Sequence, residues 1–195
     1  MSKITNTEVF GLERAIRTAK YPKAVNLEKL NSVMTPGIQA CLMCEPGMGH
    51  DNALNGVVVT FDLTFPIKAW VEIQRYHFMD FISSQSTMHK AANFDLDAQF
   101  NRYVDPVIAQ RVKEIRDAYL ADPAPENYLK LLYNLPTGFE YTAGMVTNYR
   151  QLKTIYQQRR AHRLPDWQMF CDWIEGLPYS ELIRRRDAEQ RKEIE

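Results

Sequence analysis

The sequence predicts a helix-rich α+β domain, and three observations carry that prediction. Apolar side chains recur every three or four residues in several segments, one β-branched and aromatic run (VVVTFDLTF) stands apart, and prolines or capping residues sit where the helical runs begin and end. The 195 residues suffice for one sizeable core. Lys plus Arg equals Asp plus Glu at 24 each, so no global field favours nucleic acid or a membrane surface, and anion binding has to come from local clustering. An apolar content of 45% with 11% aromatics excludes a disordered chain, and no apolar run approaches the ~18 residues of a membrane span. The opening MSKITNTEVF lacks the apolar centre of a signal peptide, and three cysteines cannot all pair within one chain, which points to a reducing cytosol.

In chain order, residues 8–20 put Val9, Leu12, Ile16 and Ala19 at helical spacing, and Tyr21-Pro22 stops the run, which predicts a first amphipathic helix. Thr35-Pro36 opens a second, because proline suits the first helical position. Residues 57–65 read as a strand closed by Pro66, and 67–81 as the helix after it. Residues 91–97 read as a linker, Asp105-Pro106 starts a helix reaching Tyr119, residues 126–134 form another, and 141–146 read as extended. Residues 147–163 and 166–175 are the last helices of the domain at 1–177. Beyond it, 178–195 reads as a solvated helical tail in which Arg184-Arg185-Arg186 lies among Glu181, Asp187 and Glu189, acids that cancel most of the local field for nucleic acid.

Four places carry candidate chemistry. In 147–163, Asn148 is placed to accept a bond from an unpaired first-turn amide, and Asn148, Leu152, Ile155 and Arg159 fall in one narrow band of the helix. A guanidinium on an apolar stripe either meets an anion or snorkels from the edge of the core. Arg159→Ala is expected to abolish ligand turnover or binding while leaving the fold intact, since it removes a charge the apolar face does not need. Arg150, Lys153, Arg160 and Arg163 add local positive charge with no acid before Asp166. Cys41, Cys44 and the nearby His50 have the residue types of a zinc site, but cysteine also serves as a small buried hydrophobe, and no metal is assigned. His50 in its glycine-rich loop fits ligand contact better than core filling. Arg75, Tyr76 and His77 before Ser83-Ser84-Gln85-Ser86-Thr87 are either the polar wall of a ligand pocket or a turn whose side chains cap the backbone.

Together these segments resemble the flavin-dependent thymidylate synthases, and more closely a phage-type branch of proteins related to them, over about residues 35–177. Leu135-Pro136, Asn148, Arg150, Leu152 and Arg159 are similar to the family's Leu-Pro, Asn-x-Arg-Ser-Leu and distal Arg arrangement. His50, then Arg75-Tyr76-His77 and Ser84-Gln85-Ser86, are similar to its His, its Arg-His-Arg motif and its serine loop. The resemblance implies a helix-rich single domain with a small antiparallel sheet, assembled as an intertwined homotetramer. It implies FAD, with NADPH and methylenetetrahydrofolate as cosubstrates, and one-carbon transfer to carbon 5 of a pyrimidine nucleotide such as dUMP. By it, His50, Arg75, His77, Asn148 and Arg150 would contact flavin, Ser84, Gln85 and Ser86 the nucleotide phosphate, and Arg159 the uracil, whose developing negative charge it would stabilise.

The sequence departs from the family pattern at several positions, and its serine loop holds one extra residue. Tyr76 and His77 replace the second and third motif residues, and Met88 and Leu132 stand where the family places arginines for the nucleotide. Two lost guanidiniums remove charge-assisted bonds of roughly 1.5–3 kcal/mol each. A catalytically silent homolog that binds a nucleotide or a protein partner is therefore the alternative expectation.

Overall fold

The computed structural model describes residues 1–45 and 48–184. Among them the chain forms β1 (Lys3–Phe10), α1 (Leu12–Thr18), α2 (Pro36–Leu42), β2 (Val58–Pro66), α3 (Ile67–Ile73), β3 (Met79–Ser84), α4 (Thr87–Lys90) and α5 (Leu96–Gln99). It continues through α6 (Pro106–Ala121), α7 (Pro125–Tyr133), β4 (Glu140–Asn148), α8 (Tyr149–Arg159) and α9 (Pro165–Glu175). The strands make one small antiparallel sheet in the order β1-β2-β4-β3. The fold is the predicted helix-rich α+β class. No helix among the described residues is long and apolar enough to cross a membrane.

Residues cluster into two compact units. One contains Met1–Thr5, Asp62–Arg75 and Phe81–Met145. Its core gathers Ala91, Leu96, Val112, Leu131 and Phe139, with Phe94 and Phe100 set edge-on to Phe139. Four capping or proline signals hold its helices: Asp95 caps α5, Asp105 caps α6, and Pro106 and Pro125 occupy first turns. Thr64 and Thr142 share a hydroxyl hydrogen bond of 2.8 Å.

The other unit contains Asn6–Phe61, Tyr76–Asp80 and the chain from Val146 onward. Here α8 packs on α9 and on the turn at Asn52–Gly56, burying Leu54, Tyr149, Leu152, Ile155, Trp167 and Phe170 completely. Phe170 meets Phe61 edge-on at 6.0 Å between centroids and Trp167 at 5.6 Å. Leu182 and Ile183 are also buried, so packing continues beyond Leu177; of the predicted tail, Arg185 and everything after it lie outside the described residues.

Three expected elements are corrected. The helix expected over 8–20 begins only at Leu12, because residues 3–10 pair into the sheet as β1, whose mostly exposed side chains leave no alternating pattern to read. The helix expected over 67–81 stops at Ile73, and Met79–Ser84 forms the edge strand β3, again with an exposed face. The linker expected at 91–97 instead contributes Ala91 and Leu96 to a core.

Gly11, at the turn from β1 to α1, has φ of 84°, and a Cβ there would lie 2.2 Å from the Gly56 carbonyl oxygen. Gly11→Ala should therefore destabilise the protein by about 2 kcal/mol or more, since both the backbone region and the close approach exclude a side chain. A thermal melt checks this; an unchanged midpoint would show that the turn adjusts freely.

Candidate functional site

Strand β4 runs directly into α8. Asn148 keeps extended backbone angles, φ −134° and ψ 164°, and its Oδ1 accepts a 2.8 Å bond from the Gln151 amide, so the predicted helix cap is present. One residue earlier, the Thr147 hydroxyl donates to the Phe78 carbonyl at 2.6 Å. The first turn of α8 thus has a fixed direction, and Arg150 and Lys153 project from it in a defined way.

Both cations meet Asp51, a carboxylate that is 1% exposed. Arg150 Nε donates to Asp51 Oδ1 at 3.2 Å, and Lys153 Nζ donates to Asp51 Oδ2 at 3.1 Å. Lys153 also donates to the Leu42 carbonyl at 3.0 Å and to the Cys44 carbonyl, which occupies all three of its ammonium protons. Arg150 is less committed. Its side chain is 37% exposed, and its two terminal nitrogens have no partner among the described residues. Beside it lies a cavity of about 180 Å3 bounded by Asp51, Asn55, Phe78, Arg150, Gln151, Lys153 and Thr154.

Arg159, the last residue of α8, is buried at 5% exposure along the predicted stripe with Leu152 and Ile155. Its Nε donates to the Tyr76 hydroxyl at 2.7 Å, and Tyr76 in turn donates to Gln158 Oε1 at 3.1 Å. The guanidinium carbon lies 4.6 Å from the Trp167 ring centroid and 5.6 Å from that of Tyr76. Arg159 is not among the residues bounding the cavity beside Arg150. The next cation, Arg160, pairs with Asp172 and Glu175 of α9, so the acid-free helix meets its acids across a helix interface.

The remaining predicted residues fall in two groups. His50 is exposed and, with Cys41, Lys20, Asn31 and Thr35, borders an open groove of about 1100 Å3 in the same unit as Arg150. His77, also exposed, belongs to that unit. Arg75 and Ser84, Gln85 and Ser86 belong to the other unit. Arg75 and Ser84 are exposed; Gln85 donates its backbone amide to the Thr142 carbonyl at 2.9 Å and accepts from the Thr142 amide at 2.8 Å. Both bonds join Gln85 to the backbone of β4. Ser86 starts α4 without a side-chain cap bond.

Among the described residues no group of His, Cys, Asp or Glu side chains converges on a metal position. Cys41 and Cys44 are half-buried free thiols, and burial pushes the Cys171 thiol up to about 12, which disfavours a nucleophilic thiolate there. The sequence did not single out Asp51, and it named Lys153 only for its charge. A usable signal was Lys153 itself: it shares a face with the buried Tyr149, and a buried ammonium requires a carboxylate.

No known family profile and no protein of curated function matches the sequence. Solved structures do. A flavin-dependent thymidylate synthase of Helicobacter pylori complexed with FAD and dUMP superposes with TM-score 0.73 at 14% identity, covering 93% of this chain and 98% of that one. A second structure of the Helicobacter pylori enzyme with FAD and dUMP gives 0.74 at 14% identity, covering 93% and 96%. The UMP/dUMP methylase PolB of Streptomyces cacaoi, bound with 5-Br dUMP, gives 0.66 at 12% identity, covering 94% and 93%. This chain has the flavin-dependent thymidylate synthase fold.

Arg159 corrects one expectation. Because its guanidinium packs on Trp167 and satisfies Tyr76, Arg159→Ala should not leave stability unchanged but lower it by roughly 2–4 kcal/mol. Denaturant unfolding measures this directly, and a loss under about 0.5 kcal/mol would mean the clamp contributes nothing to the fold.

Proposed function

We propose that this chain, having the fold of the flavin-dependent thymidylate synthases, binds FAD and a pyrimidine nucleotide and transfers a one-carbon group to carbon 5 of dUMP or a close variant. The observation that carries the reading is the first turn of α8: a capped Asn148 followed by an Arg150 with two uncommitted guanidinium nitrogens beside a cavity. Those donors suit an anionic or carbonyl-rich partner, since a planar guanidinium fork pairs with two acceptors at once.

The residues fit the cofactor in part within one chain. The cavity beside Arg150, at about 180 Å3, is smaller than the roughly 300 Å3 at which ligand pockets usually begin, whereas the groove bordered by His50, at about 1100 Å3, is not. A homotetramer with sites shared between chains would supply the remaining walls. In this reading Asn148, Arg150 and His50, with Arg75 and His77, contact FAD, and Ser84, Gln85 and Ser86 take the nucleotide phosphate. Bound flavin would supply the redox chemistry, with NADPH as reductant and methylenetetrahydrofolate as one-carbon donor in a cytoplasmic, phage-type enzyme. Arg159 holds a fixed positive charge on an aromatic platform. At the uracil it would stabilise negative charge developing on the ring.

A second reading, a nucleotide- or partner-binding protein without turnover, is favoured by two positions. Leu132 packs against an apolar core, and Met88 is 59% exposed, so neither offers the cation that the family pattern places there.

Tritium release from carbon 5 of labelled dUMP, assayed with FAD, NADPH and methylenetetrahydrofolate, separates the two. Release that depends on FAD is the expected result. Binding of dUMP without release would select the silent reading, and absence of both flavin and dUMP binding would remove the first reading and the nucleotide-binding form of the second.

A further inference from the structure

The structure points to a role for Asp51 that the motif residues do not express. We propose that Asp51 is a positioning residue: it holds Arg150 by Nε so that the guanidinium's terminal fork is presented to the cavity, while Lys153 neutralises the carboxylate. The inference rests on the reading of Arg150 as a contact for FAD.

Three observations converge on this arrangement. Asp51 divides its oxygens, with Oδ1 taking Arg150 at 3.2 Å and Oδ2 taking Lys153 at 3.1 Å. Lys153 is 3% exposed and its three protons are used, so it has none left for a ligand. Arg150 gives only Nε to the carboxylate, and its terminal nitrogens remain without partners among the described residues.

The charges explain why three groups are needed. A carboxylate alone beside an anion site would repel the anion; with Lys153 paired to it, the trio keeps one net positive charge. An arginine free to swing would lose side-chain entropy on binding, whereas one already held by Nε loses less, and affinity gains accordingly. Stability alone does not require this design, because a buried ion pair can be replaced by apolar residues of similar volume with little loss.

That last point supplies the test. Asp51→Leu combined with Lys153→Met removes both buried charges, and Arg150→Ala is made in the wild-type and in the double-variant backgrounds. Three quantities are measured on full-length protein: melting temperature, FAD affinity, and exchange of the Arg150 Nε proton with water by nitrogen-resolved NMR. The expected result is a double variant that still folds but melts below the wild type, because the Leu42 and Cys44 carbonyls lose their donor, binds FAD on the order of tenfold more weakly, and shows a fast-exchanging Arg150 Nε proton that is protected in the wild type. Arg150→Ala should weaken FAD binding in the wild type and add little in the double variant, since coupled residues are not additive. Should the double variant fail to fold, Asp51→Leu with Lys153→Gln, whose amide can still donate to the Leu42 and Cys44 carbonyls, carries the same readouts.

Equal FAD affinity and an equally protected proton in the variant would overturn the inference. So would an Arg150 Nε proton that exchanges freely in the wild type, a result independent of any variant. If wild-type protein binds no FAD, the functional reading falls, and the proton exchange alone decides the inference: protection lost with Asp51 supports it, and protection retained refutes it.

Discussion

A buried carboxylate between two cations is the constraint on which this site depends. Asp51 lies at 1% exposure, and an unpaired charge there would cost several kcal/mol, so Arg150 and Lys153 must both come from a helix whose first turn is rigidly placed. The Asn148 cap and the Thr147 hydroxyl bond to Phe78 provide that placement. Lys153 extends the constraint to the carbonyls of Leu42 and Cys44, so the end of α2 and Cys44 just beyond it are fastened to α8 by one ammonium group.

The same helix shows how a run of cations becomes a set of different devices. Arg150 keeps donors open toward a cavity, and Lys153 is saturated. Arg159 lies on the faces of Trp167 and Tyr76, where an aromatic surface and a hydroxyl substitute for water around the guanidinium. Arg160 is neutralised by Asp172 and Glu175 of α9. Composition counts these four as equal, but their neighbours make them chemically distinct, and Arg150 keeps two terminal nitrogens without a partner among the described residues.

The legible parts of the fold were the local ones. Asn148 as a cap, Asp105-Pro106 as a helix start and 57–65 as a strand follow from bonds or backbone angles set within a few residues, and the structure has all three. The placement of Leu152, Ile155 and Arg159 on one buried face follows from helical periodicity alone. Strands β1 and β3 were hidden because their side chains are largely exposed: KITNTEVF and MDFISS lack the alternation that burial on one face imposes. The pairing of Lys153 with Asp51 was hidden for another reason. The two are 102 residues apart, and nothing in either local sequence specifies the other. The pairing of Arg160 with α9 and the stacking of Arg159 on Trp167 arise from packing between elements in the same way.

The central claim is that a helix start with one open guanidinium, set in this fold, serves a flavin and a pyrimidine nucleotide. Equilibrium dialysis of labelled dUMP against the purified protein, with and without FAD, addresses it most directly. The account predicts saturable, stoichiometric dUMP binding that tightens when FAD is present. Failure of dUMP to bind under either condition, with the protein folded, would contradict it.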